Sequence, residues 1–177
     1  KEDIKNLFSH FDKTLLKSII KAAWPFSLGA IFSVLLVNTD TVMIGWFGDA
    51  RDVGLYAAAQ KPIALLYILP TLIVGGFFPA LARYTKNKKK FQEVLERGFT
   101  LTLFASLPIA IGTLLTADQI VNLLYGTAFA PSSAPLRVLS LTVLTAFPVG
   151  IIIHAVFAHN RQKDLVPLWV VGGILNV

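Results

Sequence analysis

Residues 62–82, 99–117 and 138–158 contain no Asp, Glu, Lys or Arg. Each run is close to the ~20 residues with which a helix crosses a hydrocarbon core ~30 Å thick. Soluble helices interleave charge at every turn of their wetted face, so this pattern leaves few folds other than membrane-spanning ones. The cations reinforce it, because they fall in alternate gaps. Residues 1–21 hold five Lys, residues 83–97 hold six Lys and Arg, and Arg161 and Lys163 come after the run that ends at 158. The intervening gaps hold Arg51 alone (49–53) and no cation at all (118–135). Loops retained on the cytoplasmic side of a bilayer carry this bias. The expected fold is all-α: a polytopic transmembrane helix bundle with about five spanning helices, at 22–47, 55–82, 99–117, 136–158 and 165–177, and residue 1 on the cytoplasmic side.

With 55% apolar and 15% charged residues, the chain has too little charge to wet the surface of a soluble domain. A net charge of +6 would elsewhere point to nucleic acid. Here the cations adjoin apolar spans and no base-stacking aromatic pattern accompanies them, so anionic membrane lipids are the expected contact and nucleic acid is not. The chain has no Cys, which excludes disulfides and thiolate metal sites. It begins at Lys1 and ends inside an apolar segment with Asn176 and Val177, the pattern of a fragment of a larger protein whose fifth span is truncated.

Within residues 4–20, Ile4, Leu7, Phe8, Phe11, Leu15 and Ile19 share one helical face, as expected of an amphipathic helix on the cytoplasmic surface. Gly48 and Gly54 bracket an expected outer turn, and the second span carries Pro62, Pro70 and Pro79, which should bend it. Past residue 117, one interfacial turn over 120–124 and an irregular loop over 126–135 are expected outside the membrane.

Asp40 stands out for chemistry, because a carboxylate in a spanning helix costs roughly 2.5–3.5 kcal/mol on insertion scales unless it finds a cavity or a partner. Asp40 lies about seven residues before the outer end of the first span, and Lys61 about seven after the outer start of the second. At 1.5 Å per residue both sit ~10 Å below one surface. An ion pair, or a polar cavity shared by both, is expected; it serves either packing or binding of a cation or an anionic substrate. Asn38 shares a face with Ser27, Ile31, Val34, Thr41 and Gly45, which fits close helix packing or a cavity lining. Arg137 is expected at the outer headgroup level, as an anchor or a phosphate contact. His154 and His159 are five apart, off the spacing of a helical metal pair, and His154 is expected to be a hydrogen-bonded helix residue. No phosphate-binding loop, nucleophile elbow or ligand cluster is present, so neither enzymatic activity, nor a cofactor, nor a metal is expected.

Residues 38–48 (NTDTVMIGWFG), 53–59 (VGLYAAA) and 78–83 (FPALAR) resemble the start of the C-terminal lobe in polysaccharide and oligosaccharide flippases. These belong to the multidrug, oligosaccharidyl-lipid and polysaccharide exporter superfamily. Leu124, Tyr125, Gly126, Phe129, the 136–141 run, residues 158–161 (AHNR) and Asn176 look similar to its later helices. The resemblance implies a partial C-terminal transmembrane lobe over 22–177, residues 1–21 forming the linker from a missing N-terminal lobe, within a transporter of twelve to fourteen helices. It further implies a bacterial inner-membrane protein that flips undecaprenyl-diphosphate-linked oligosaccharide for surface polysaccharide by alternating access, with Lys61, Arg137 and the Asp40 region as cavity contacts. Two rivals stay open: a cation-coupled multidrug exporter with Asp40 as the coupling site, and a non-transporting scaffold that recruits polysaccharide enzymes through residues 86–90.

Overall fold

The computed structural model of the chain describes residues 13–175. Among them the α-helices are α1 (Lys13–Phe47), α2 (Ala50–Leu66), α3 (Ile68–Arg83), α4 (Lys88–Tyr125), α5 (Ser133–Ala158) and α6 (Val166–Leu175), joined in part by 3-10 turns at Thr127–Ser132 and Gln162–Leu165. No described residue is in a strand. Four segments are long and apolar enough to cross a membrane: Ala23–Phe47, Ala50–Arg83, Lys88–Leu115 and Thr127–Ala158. The fold is the expected all-α bundle. Of the expected amphipathic helix, residues 4–12 lie outside the described residues, as does Asn176; from Lys13 the chain runs without interruption into the first span.

The contacts divide the chain into two compact units, one ending at Val37 and resuming at Gln162, the other comprising Asn38–Arg161. In the first unit α6 packs on the N-terminal part of α1. A Cβ at Gly29 would come 2.5 Å from the Trp169 ring, so only a glycine lets that ring lie flat on the helix. Small residues in spanning helices serve close contacts of this kind.

In the second unit the antiparallel pair α4 and α5 forms the centre, with α2 and α3 packed across α5. One core cluster gathers Ala59 and Ile63 of α2, Ala110 and Val121 of α4, and Leu136, Val143 and Phe147 of α5. A second gathers Val74 and Leu81 of α3 with Ile151 and Ala155 of α5. Hydroxyls buried along the helix pair bond back to their own helices: Thr102 to the Gly98 carbonyl at 2.9 Å, Ser106 to Leu103 at 2.8 Å, Ser140 to Arg137 at 2.7 Å. Small side chains whose one polar atom is satisfied locally can sit inside an apolar bundle and let backbones approach.

Several boundaries are set by local contacts rather than by hydropathy. The turn after the first span is shorter than 48–54, because Asp49 caps α2 by accepting the amides of Arg51 and Asp52 at 2.8 and 2.9 Å, while Asp52 accepts from the Asp49 amide at 3.3 Å. This reciprocal capping box starts the helix at Ala50 and draws Gly54 into it. The second span is bent as expected, and the bend falls at Tyr67, where α2 gives way to α3. Pro70 has no amide to donate to the carbonyl of Leu66, four residues earlier. The third span belongs to a helix of 38 residues, and its expected end at Ala117 is marked only by a kink at Thr116 (φ −105°, ψ 16°), whose hydroxyl bonds the Gly112 carbonyl at 2.7 Å. Residues 120–124 therefore continue α4, and the expected irregular loop is a compact 3-10 turn after Gly126, whose φ of +77° ends the helix.

The ends of the second unit alternate as the charges do. The Phe91 and His159 rings meet edge to face at 4.4 Å, which puts the basic connector before α4 beside the C-terminus of α5. The opposite end carries the Gly48–Asp49 corner and the 127–132 turn, which packs against α2.

Candidate functional site

The corner at Gly48 and Asp49 folds α2 back so that its outer half faces the outer end of α1. Asp40 stands seven residues before the end of α1, ~10 Å down, and Tyr56 six residues into α2, ~9 Å down. Their side chains meet: the Tyr56 hydroxyl donates to Oδ2 of Asp40 at 2.9 Å. Gln60, one turn further on, lies within hydrogen-bonding reach of the same hydroxyl. Lys61 is eleven residues into α2, ~16 Å down and about 140° around the helix from Tyr56. It is exposed, and it forms no ion pair with Asp40. The expected pair fails because the capping box starts α2 five residues earlier than the apolar pattern indicates, which carries Lys61 more than a turn past the level of Asp40 and brings Tyr56 to it.

Arg137, near the start of α5, forms an ion pair with Asp118, just past the kink of α4. The two side chains are 42% and 54% exposed, so the pair contributes little stability, ~0–1 kcal/mol. It does lower the positive charge that Arg137 offers to a phosphate. Asn38 is exposed and engaged in an interaction of its own. Deeper in the unit, where α2 gives way to α3, the hydroxyls of Tyr67 and Thr142 lie 2.7 Å apart and tie the interruption to α5. His154 donates through Nδ1 to the Gly150 carbonyl at 2.9 Å, the hydrogen-bonded helix residue expected. No cluster of three His, Asp or Glu that could hold a metal occurs among the described residues.

Two open grooves run along single helices: ~570 Å³ beside Glu93, Glu96, Arg97, Thr100, Leu101 and Phe104 of α4, and ~390 Å³ beside Ile20, Ala23, Trp24, Ser27 and Leu28 of α1. Neither includes Asp40, Lys61 or Arg137. The polar residues of the site form a hydrogen-bonded array on the α1–α2 corner, with an ammonium one turn deeper. Sequence reasoning missed Tyr56, Gln60 and Asp118. The capping pair Asp49 and Asp52 was the signal that would have set the register of α2 and singled out Tyr56.

Removing the Tyr56 hydroxyl should show what the contact contributes. In a double-mutant cycle of Tyr56→Phe and Asp40→Ala, unfolding in detergent micelles is expected to give a coupling between about 0.6 kcal/mol, the average for side-chain hydrogen bonds inside membranes, and their maximum of about 1.7 kcal/mol. A coupling near zero would mean that the hydroxyl and carboxylate do not interact in the folded protein.

A bundle with four helical segments able to cross a bilayer, carrying a carboxylate and an ammonium within them, defines a multi-pass membrane protein. The chain belongs to the polysaccharide biosynthesis protein family, which it matches over residues 5–134. It is similar to a probable flippase, AglR, of Haloferax volcanii, 32% identical over 108 residues that make up 59% of this chain and 22% of that protein. A probable low-salt glycan biosynthesis flippase, Agl15, of the same organism is 24% identical over 78% of this chain and 30% of its own length. A probable lipid II flippase, MurJ, of Bdellovibrio bacteriovorus is 25% identical over 68% of this chain and 24% of its own length. The chain thus spans between about a fifth and a third of these curated relatives. No solved structure matches it.

Proposed function

We propose that this chain is part of the C-terminal lobe of a flippase that carries undecaprenyl-diphosphate-linked oligosaccharide across the inner membrane by alternating access, for surface polysaccharide. Residue 1 and the connector at 86–90 face the cytoplasm in this proposal. Membership of a polysaccharide biosynthesis family supports it, as do relatives named as glycan and lipid II flippases. The observation that carries it is the pairing of two chemistries on the α1–α2 corner. Lys61, an ammonium free of any ion pair and held at membrane depth, suits a diphosphate; Asp40, Tyr56 and Gln60 supply acceptors and donors suited to sugar hydroxyls. A polar substrate crosses lipid only where such groups replace its water. Chemistry of this kind moves no covalent bond, which fits a transporter rather than an enzyme.

Deleting the gene should trap lipid-linked repeat units on the inner leaflet, measured by extracting the lipid-linked sugars and probing which leaflet holds them. Normal delivery to the outer leaflet in the deletion strain would refute the proposal. Labelling of cysteines placed at Lys88 and Ala130, both exposed and at opposite ends of the unit, should report opposite compartments.

A second reading, a cation-coupled exporter, draws on one observation: Asp40 is bound by a neutral hydroxyl and not by Lys61, which leaves its charge available to a cation. Dye resistance lost on deletion, with glycan export intact, would select it.

A further inference from the structure

Between Asp52 and Glu93 the chain has no acidic residue, yet its connector from α3 to α4 gathers Arg83, Lys86, Lys88, Lys89 and Lys90. None of the five forms an ion pair among the described residues, and no acidic residue stands in the first turn of α4. Glu93 pairs with none of them, and Gln92 turns to Glu96 at 2.8 Å. Like charges at such density repel one another and oppose the dipole of the helix they begin. Two of them meet at an aromatic ring. The Arg83 guanidinium lies 5.7 Å and the Lys90 ammonium 5.4 Å from the centre of the Tyr84 ring, so the two cations are at most about 11 Å apart. The backbone holds this arrangement in place. The Tyr84 amide bonds the Ala80 carbonyl at 3.1 Å, the Asn87 amide bonds the Tyr84 carbonyl at 2.9 Å, and the Asn87 side chain accepts the Lys90 amide at 3.1 Å.

Tyr84 stands where the apolar segment Ala50–Arg83 ends, at the depth of lipid headgroups, where Tyr rings collect. Clusters of four to eight Lys and Arg directly beside a spanning helix attract acidic lipid. Here the neighbouring α3 keeps Leu72 and Phe78 exposed, an apolar surface against which acyl chains can rest. We propose that the connector between α3 and α4 is a binding site for an acidic phospholipid, whose phosphate lies between Arg83 and Lys90 beside the Tyr84 ring, with Lys86, Lys88 and Lys89 contributing a general attraction. The site needs no assumption about what the protein transports, so it stands or falls apart from the proposed function.

The test uses the intact membrane protein that carries this segment, purified in detergent. Native mass spectrometry would measure its retention of phosphatidylglycerol against phosphatidylcholine with identical acyl chains. For Arg83→Gln with Lys90→Gln, the preference for phosphatidylglycerol should fall roughly 30-fold, since each cation near an acidic lipid contributes about fivefold. For Lys88→Gln with Lys89→Gln, which removes the same charge outside the ring, it should fall less than about fivefold. Tyr84→Leu keeps every charge and should still weaken retention several-fold, because Arg83 and Lys90 lose the ring that positions them. Equal losses for the two charge variants would overturn the site in favour of a diffuse field, and an unchanged preference in all three would overturn it outright.

Discussion

Replacing Lys61 by Met is expected to reduce delivery of the lipid-linked glycan to the outer leaflet by at least about tenfold while leaving the protein as stable as before. Hydrogen bonds to a charged group contribute about 1.5–3 kcal/mol, equivalent to roughly 10- to 150-fold in a rate that depends on the contact. Lys61 is exposed on α2 at membrane depth and forms no ion pair, so the substitution removes a charge without orphaning a partner. Stability should therefore hold or rise, because an unpaired ammonium in lipid is itself unfavourable. A structural lysine would behave in the opposite way, losing stability first. The measurement is outer-leaflet glycan per unit of membrane-inserted protein, with Asp40→Asn alone and combined with Lys61→Met. Since the two side chains do not pair, their effects should be additive. Normal export by Lys61→Met would remove Lys61 from the proposed substrate path.

Phe147→Ala should lower the stability of the second unit by about 2–4 kcal/mol in unfolding from micelles. Phe147 is fully buried at the centre of the cluster shared by α2, α4 and α5. Phe→Ala in soluble cores loses about 3–5 kcal/mol, part of which reflects transfer of the ring out of water. In a bilayer the alternative to the core is lipid, as apolar as the core itself, so lost packing and the cavity dominate and the expected loss is about 1 kcal/mol smaller. Phe104→Ala offers the comparison: that ring is 68% exposed, and its removal should change stability by less than about 0.5 kcal/mol. Equal effects at the two positions would show that the core is not where these helices place it.

Much of the fold was legible because bilayer and backbone impose the same pattern. A charge-free run of the right length can satisfy its amides in lipid only as a helix, and the alternating Lys and Arg then give the order in which the helices turn back. The failures came where one hydrogen bond outweighed hydropathy. Asp49 and Asp52 are polar and look like turn, yet together they begin a helix. Ile120 and Leu124 look interfacial, yet α4 carries them onward because nothing before Gly126 stops it. Such errors displace every later residue of the helix in depth and rotation. The misplacement of Lys61 opposite Asp40 is the case in point, since moving the start of α2 by five residues exchanges a lysine for a tyrosine as the neighbour of the carboxylate.

Composition and periodicity alone determined that this chain is helical, that it crosses a membrane repeatedly, and that Asp40 and Lys61 are polar groups at a depth that needs explaining. All of these rest on transfer energies summed over a dozen or more residues, which no single contact can reverse. Which side chain answers Asp40, that Arg137 pairs with Asp118, and that a tyrosine ring brings Arg83 and Lys90 together were decided only by tertiary structure. Each depends on helix starts and rotations fixed to within one residue, and one residue turns a side chain by about 100°.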